Sequence, residues 1–251
     1  MAATDTDEDH GPFGKPLFDD PSARALSRVG VVDVGSNSVR MVVFDGAARS
    51  PAYFYNEKIM CGLGKGLAES GRLNPEGRRR ALAALKRFSL LAKGMGIETL
   101  TVVATAATRE AEDGPEFQLQ VLRETGLKLW VIDGGEEARL SAQGVLLGWP
   151  EARGIVCDMG GNSMELARIG DGKVGRRVST PLGPFRLQQV ADTPKKRTAH
   201  IDRILKECQA ELKSEGERIY LVGGSWRVIA RLDMERRNYP LTVLHEYRMT
   251  P

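Results

Sequence analysis

The chain has 251 residues, of which 41% are hydrophobic and 27% are charged, and its formal net charge is +3. These values are those of an ordinary globular protein, and no apolar run approaches the roughly 18 residues of a membrane span. The first ten residues are acidic and no apolar stretch follows, so we expect no secretory signal. Three widely spaced cysteines, Cys61, Cys157 and Cys208, lie outside any Cys-x-x-Cys pattern and indicate reduced core thiols in a cytoplasmic protein.

Residues 1–28 are rich in Asp, Pro, Gly and Ala without apolar periodicity, which predicts a disordered tail. Apolar spacing then predicts the elements of the first half. In chain order they are strands at 29–34, 39–45 and 51–60 with a turn near Gly46, a helix from Pro75 to Gly94–Gly96, a strand at 99–104, two helical pieces and a strand at 127–132. Asn74 is the expected N-cap of the long helix, with Pro75 at its first position.

A similar series of elements begins after Gly134-Gly135. The predicted order is a helix at about 136–147, strands at 154–158, 164–169 and 173–179, a helix around 201–212, a strand at 218–222 and a helix opened by Gly223-Gly224-Ser225.

An internal repeat is the most informative feature of the chain. The stretch VVDVGSNSVRMVVF, residues 31–44, is restated as IVCDMGGNSMELARI, residues 155–169. Each copy contains an apolar strand, an Asp, a small-residue turn with Asn and Ser, and a second apolar strand. The duplication predicts two homologous subdomains, 29–133 and 134–251, that face each other across a cleft.

Each predicted turn can bind an anion, because glycines allow close backbone approach and several N–H groups then point into one concavity. The candidate phosphate-binding residues of the two turns are Gly35, Ser36, Asn37, Ser38, Gly160, Gly161, Asn162 and Ser163. Asp33 and Asp158 would repel a bare phosphate, but Mg²⁺ is commonly held by one or two carboxylates together with phosphate oxygens. The alternative is that both hairpins are structural turns whose aspartates cap local N–H groups.

A second set of residues lies between the hairpins. Arg109 follows a strand that ends in small residues, and Glu136 and Glu137 stand at a predicted helix N-terminus, where the helix dipole tolerates acids. A glutamate there could deprotonate a water for attack on phosphorus, while Arg109 neutralises charge on the transferring group. The alternative is that both acids only favour the helix start and that Arg139 pairs on the surface.

Six stretches in this order resemble the exopolyphosphatase and guanosine pentaphosphate phosphohydrolase (Ppx/GppA) family of the actin, Hsp70 and sugar-kinase superfamily. They are VVDVGSNSVRMVV, GLGKGLAESGRL, VVATAATRE, IDGGEEARL, CDMGGNSMEL and YLVGGSWRVIA. The resemblance implies an α/β fold of two ribonuclease-H-like (actin-like ATPase) subdomains with mixed sheets. The chain stops at Pro251, where family members continue through at least one more helix, so we expect a C-terminal truncation.

The resemblance also implies roles for individual residues. Glu137 looks like the catalytic base, and Arg109 like the arginine that binds the phosphoryl group being cleaved. Asp33, Asp158 and Glu165 look like the acids near a metal, which is expected to be Mg²⁺ with Mn²⁺ as an alternative.

The expected activity is metal-assisted hydrolysis of the terminal phosphate of inorganic polyphosphate, of the 5′ γ-phosphate of guanosine pentaphosphate (pppGpp), or of both. Two rivals stay open. One is an ATP-dependent kinase or ATPase with an adenosine pocket near Gly223-Gly224, narrowed by Trp226, and the other is a non-catalytic polyphosphate or alarmone binder. We expect no nucleic-acid or membrane partner, and a homodimer is left open.

Overall fold

The computed structural model describes residues 28–45, 53–190, 193–213 and 218–249. The chain divides into two compact units. Unit 1 comprises the chain up to Leu63 together with Leu73–Ile132, and unit 2 comprises Gly64–Arg72 together with Asp133–Pro251. The short segment Gly64–Arg72 thus groups with unit 2, whereas the predicted division near residue 133 assigned it to the first subdomain.

The described strands and helices alternate along the chain. In chain order they are β1 Arg28–Val34, β2 Ser38–Asp45, β3 Tyr53–Met60, α1 Leu67–Ser70, α2 Pro75–Gly94, β4 Thr99–Ala104, α3 Ala106–Glu110, α4 Gly114–Thr125, β5 Leu129–Val131, α5 Gly134–Gly148, β6 Gly154–Met159, β7 Met164–Gly170, β8 Lys173–Thr180, α6 Pro184–Val190, α7 Pro194–Leu212, β9 Ile219–Val222 and α8 Gly224–Arg236.

The sheet of unit 1 has the strand order β3-β2-β1-β4-β5. Strand β1 runs antiparallel to β2 and parallel to β4, so the sheet is mixed. Alternate residues of the hairpin are buried, among them Val32, Val34 and Val39 on one face. Helix α2 contacts β2 and β3 and buries a largely apolar side that includes Leu85 and Phe88. Its start is fixed as predicted by Asn74, which accepts a hydrogen bond from the Gly77 N–H.

The sheet of unit 2 has the order β8-β7-β6-β9, in which β6 is antiparallel to β7 and parallel to β9. The arrangement β7-β6-β9 therefore repeats β2-β1-β4 of unit 1. One face of the sheet forms a core with residues of α7, and Trp226 packs against that core. The opposite face packs against the alanines Ala138 and Ala142 of α5.

The two-sheet α/β fold expected from the sequence is confirmed. The three cysteines are free and buried, as expected of core thiols. The helices α1 and α6 were not predicted, and the turn near Gly46 and nearly all of the predicted tail lie outside the described residues. Among the helices of the described part of the chain, none combines the length and apolar character needed to cross a membrane.

Candidate active site

The two hairpins that contain the sequence repeat are closed by equivalent backbone hydrogen bonds. In the first, the Gly35 N–H donates to the Ser38 carbonyl over 3.0 Å, and in the second the Gly160 N–H donates to the Ser163 carbonyl over the same distance. An aspartate precedes each of these glycines by two residues. The sequence repeat is therefore also a structural repeat.

Each hairpin tip is held by the segment that follows the third strand of its unit. The Asn37 carbonyl accepts hydrogen bonds from the N–H groups of Cys61 and Gly62, both over 2.9 Å. The Asn162 carbonyl accepts one from the Gly183 N–H over 3.3 Å. Only glycine fits at position 183, because an added Cβ would lie 2.2–2.5 Å from backbone atoms of Asn162.

The residues predicted to bind phosphate differ in exposure. Asn37 is exposed, and the turn glycines Gly35, Gly160 and Gly161 are half-buried, as is Ser38. The side chains of Ser36, Asn162 and Ser163 are buried, and Asn162 Oδ1 has no hydrogen-bond partner within the described parts of the chain. The glycine backbone of the turns is therefore more accessible to a ligand than these three side chains.

Two predicted metal-binding acids of unit 2 lie side by side. Asp158 on β6 and Glu165 on β7 are directly paired across the antiparallel strands, so their side chains lie on the same face of the sheet. The Ser141 hydroxyl on α5 donates to Asp158 Oδ2. The Ser179 hydroxyl on β8 donates to Glu165 Oε1 over 2.9 Å, and Glu165 is only 1% exposed.

The surroundings of Asp158 contain groups that favour its ionised form as well as burial that disfavours this form. Burial raises the pKa of this carboxyl, whereas the hydrogen bond from Ser141 and the nearby Arg227 guanidinium act to lower it. The Gly223 backbone, at a φ of 106°, packs directly against the carboxylate. A Cβ added at Gly223 would lie 3.0 Å from Asp158 Oδ1, so this position also requires glycine.

The two glutamates in the first turn of α5, Glu136 and Glu137, have different surroundings. Its N-cap, Asp133, accepts a hydrogen bond from the Glu136 N–H over 2.7 Å. Glu136 pairs with Arg139, and this hydrogen-bonded guanidinium lowers the pKa of the Glu136 carboxyl. Glu137 precedes Ser141 by four residues and so shares its side of the helix. The pairing with Arg139 expected in the structural alternative is therefore observed for Glu136.

In unit 1, Arg109 lies on α3, directly after strand β4. One terminal N–H of its guanidinium donates to the Ile132 carbonyl over 2.8 Å. The turn of the first hairpin lies at the same end of the sheet, because the Thr105 N–H, directly after β4, donates to the Val34 carbonyl at the end of β1 over 3.3 Å. The half-buried guanidinium is thus held at the end of the sheet where the turn of the first hairpin lies.

The acid of the first hairpin has a different neighbour from the acid of the second. Asp33 is exposed and is directly paired across the strands with Arg40, whereas Asp158 is paired with Glu165. The first hairpin therefore places opposite charges side by side, and the second places two acids side by side.

The pair of acids in unit 2 is compatible with a divalent cation. Within the described ranges, no group of three or more His, Cys, Asp and Glu side chains is arranged to hold a metal ion. Mg²⁺, however, usually takes one or two carboxylates and completes its shell with water and phosphate oxygens. The donor set of Asp158 and Glu165 fits that requirement.

Known protein families and structures include relatives of this chain. The model of the Ppx/GppA phosphatase family matches residues 42–251. The chain belongs to the Ppx/GppA phosphatase family. Exopolyphosphatase 1 of Mycobacterium tuberculosis is 32% identical over 163 residues, which are 64% of this chain and 47% of the relative. This Ppx/GppA chain spans about half the length of the curated relatives it matches.

Solved structures of the Ppx/GppA family share the fold. A crystal structure of an exopolyphosphatase from Cytophaga hutchinsonii matches with a TM-score of 0.77 at 23% identity, covering 88% of this chain and 74% of that one. The crystal structure of the Aquifex aeolicus Ppx/GppA family member matches with a TM-score of 0.69 at 27% identity, covering 86% of this chain and 71% of that one. The actin-like fold expected from the resemblance is confirmed.

Proposed function

We propose that this Ppx/GppA chain hydrolyses the terminal phosphoanhydride bond of inorganic polyphosphate and releases orthophosphate. The observation that carries the proposal is the repeated hairpin, present once in each unit with the same closing hydrogen bond. Glycine-rich turns of this kind bind anions through their backbone N–H groups. The relatives named exopolyphosphatase support polyphosphate as the anion.

The proposed reaction is in-line attack of water on the terminal phosphorus, with the shortened polyphosphate chain as leaving group. Glu137 accepts the proton of the attacking water. The side of α5 on which Glu137 lies is held by the hydrogen bond between Ser141 and Asp158. Arg109 donates N–H groups to the oxygens of the transferring phosphoryl group. Its hydrogen bond to the Ile132 carbonyl restrains the guanidinium in advance of binding, which lowers the entropic cost of the reaction.

Asp158 and Glu165 are the residues proposed to hold Mg²⁺ or Mn²⁺, with Asp33 as the further acid predicted from the sequence. A bound divalent cation neutralises phosphate charge and orients the group that is transferred.

The 5′ γ-phosphate of pppGpp is a second candidate substrate, because the name of the matched family joins Ppx with GppA and the sequence resemblance implies either activity. The bond broken is again a terminal phosphoanhydride, so the same groups would act on it. The two substrates differ in the leaving group, which is a phosphate polymer in one case and a guanosine nucleotide in the other.

A phosphate-release assay on long-chain polyphosphate, pppGpp and ATP, each with and without Mg²⁺, tests the proposal. We expect orthophosphate release from polyphosphate that depends on Mg²⁺. Orthophosphate release from ATP, with none from polyphosphate or pppGpp, would instead identify an ATPase, one form of the first rival. Tight binding of polyphosphate in calorimetry without any release would identify a binding module, the second rival, and would contradict the proposed hydrolysis.

A further inference from the structure

A row of three polar side chains crosses the sheet of unit 2. Asp158 on β6 is paired with Glu165 on β7, and Glu165 is paired in turn with Ser179 on β8. Direct cross-strand partners lie on one face with their Cβ atoms about 5 Å apart. Two carboxylates at this spacing repel each other when both are ionised, so each needs a group that stabilises its charge and fixes its direction.

Each carboxylate of the row accepts a hydrogen bond from its own serine. Ser141 donates to Asp158, and Ser179 donates to Glu165 over 2.9 Å. Both donors come from elements other than the strands that carry the acids, namely α5 and β8. A hydroxyl that donates to a carboxylate stabilises the ionised form and restrains the side-chain torsions.

Neither serine is needed to fill the core. Ser179 is exposed and Ser141 is half-buried, whereas the acid that Ser179 contacts is 1% exposed. Removing either hydroxyl leaves no large cavity, so substitution with alanine has little reason to prevent folding. The notable contact of each hydroxyl is therefore its hydrogen bond to the acid, and not packing in the core.

We propose that Ser141 and Ser179 are positioning residues that hold Asp158 and Glu165 in the orientation required to bind a divalent cation. The inference rests on the cation site of the proposed function and adds two residues to it that do not contact the cation. Partners of this kind contribute about 10-fold to 100-fold to metal affinity in other proteins.

The test uses Mn²⁺ alone as the probe and electron paramagnetic resonance to measure its dissociation constant, without any phosphate substrate. The variants are Ser141→Ala, Ser179→Ala, the double variant, and Ser179→Thr, which keeps a hydroxyl. The matched control is Thr180→Val, since the buried Thr180 hydroxyl donates to the Met164 carbonyl over 3.0 Å on the neighbouring position of β8. Thermal unfolding of every variant is followed by circular dichroism.

We expect each serine-to-alanine variant to weaken Mn²⁺ binding about 10-fold and the double variant about 100-fold. Ser179→Thr should restore most of the affinity, and Thr180→Val should lower the unfolding temperature without changing the Mn²⁺ dissociation constant. An Mn²⁺ dissociation constant that stays within about twofold of wild type in both alanine variants overturns the inference. A wild-type chain that binds no Mn²⁺ overturns it as well.

Failure of the proposed function has a different signature. A wild-type chain that binds Mn²⁺ but releases no phosphate from polyphosphate or pppGpp would reject the hydrolase activity. A loss of Mn²⁺ affinity in the two alanine variants of that chain would still establish the positioning role of the serines.

Discussion

The Ser141 hydroxyl on α5 donates to the Asp158 carboxylate at the end of β6. This bond joins the helix that carries the candidate catalytic base to the strand that carries a candidate metal ligand. Because Glu137 lies one helical turn before Ser141, the bond also limits how far Glu137 can shift relative to Asp158. Catalytic groups must be held within a fraction of an ångström, so this restraint suits the role proposed for Glu137.

Replacing Glu137 with Gln should lower kcat for phosphate release by about 10²-fold to 10⁴-fold, since the amide cannot accept the proton of the attacking water. Polyphosphate binding, measured by calorimetry, should change little. The matched control is Glu136→Gln, which alters the adjacent residue but removes only its pairing with Arg139. If Glu137→Gln keeps most of the wild-type rate, Glu137 is not the base.

Gly183→Ala should destabilise the second hairpin, because the new Cβ would lie 2.2–2.5 Å from backbone atoms of Asn162 that cannot move independently. We expect a loss of about 1–3 kcal/mol in the free energy of unfolding, with a lower rate of phosphate release. Gly144→Ala is the control, because a Cβ added at this position of α5 would meet nothing within 4 Å, and alanine there should stabilise the helix by up to about 1 kcal/mol. Urea unfolding of both variants measures the difference.

The hairpins could be predicted from the sequence because the residues that determine each one are contiguous in the chain. A glycine-rich turn between two apolar strands determines how the two strands pair. Asp33 and Asp158 therefore lie near the ends of the first strands of their hairpins, as predicted. The serines that contact the acids could not be predicted in the same way. Ser141 and Ser179 lie 17 and 14 residues from their partners, and only the packing of α5 and the pairing of β8 bring them together.

Short elements were also missed for a physical reason. Helix α1 has four residues and α6 has seven, too few for a 3.6-residue apolar period to show in the sequence. The requirement for glycine at position 183 could not be predicted either, because it comes from the backbone of Asn162 rather than from neighbours in the sequence.

The three thiols should be unreactive in the folded chain. Burial raises the pKa of Cys61 and Cys208, and it raises the pKa of Cys157 to about 12. Since the thiolate is the reactive form, Ellman's reagent at pH 8 should titrate no thiol in the native protein and three after unfolding in guanidinium. Rapid native labelling of Cys157 would contradict its burial against Trp226.

The ion pair between Glu136 and Arg139 should make a small contribution to stability that depends on pH. The Arg139 guanidinium lowers the pKa of Glu136 below its ordinary value. The contribution is therefore fully present above the unfolded-state pKa of about 4.3, and it is lost as the pH falls through the lowered pKa of the folded state. Its size for a partly exposed pair at this spacing is about 0.2–0.5 kcal/mol.

A double-mutant cycle with Glu136→Gln and Arg139→Gln measures this pairing energy from urea unfolding between pH 7 and pH 3. The coupling should be constant from pH 7 down to the unfolded-state pKa of about 4.3 and should shrink as the pH falls through the lowered pKa of the folded state. A coupling that grew on acidification would mean that the glutamate binds its proton more tightly in the folded state, the opposite of what the adjacent guanidinium imposes. Whether the position of Glu137 depends on this pair is tested by the activity of the Arg139→Gln variant, because both side chains of the pair lie at the start of α5. Phosphate release by the Arg139→Gln variant should stay near the wild-type rate if the hydrogen bond between Ser141 and Asp158 alone is sufficient to fix the helix.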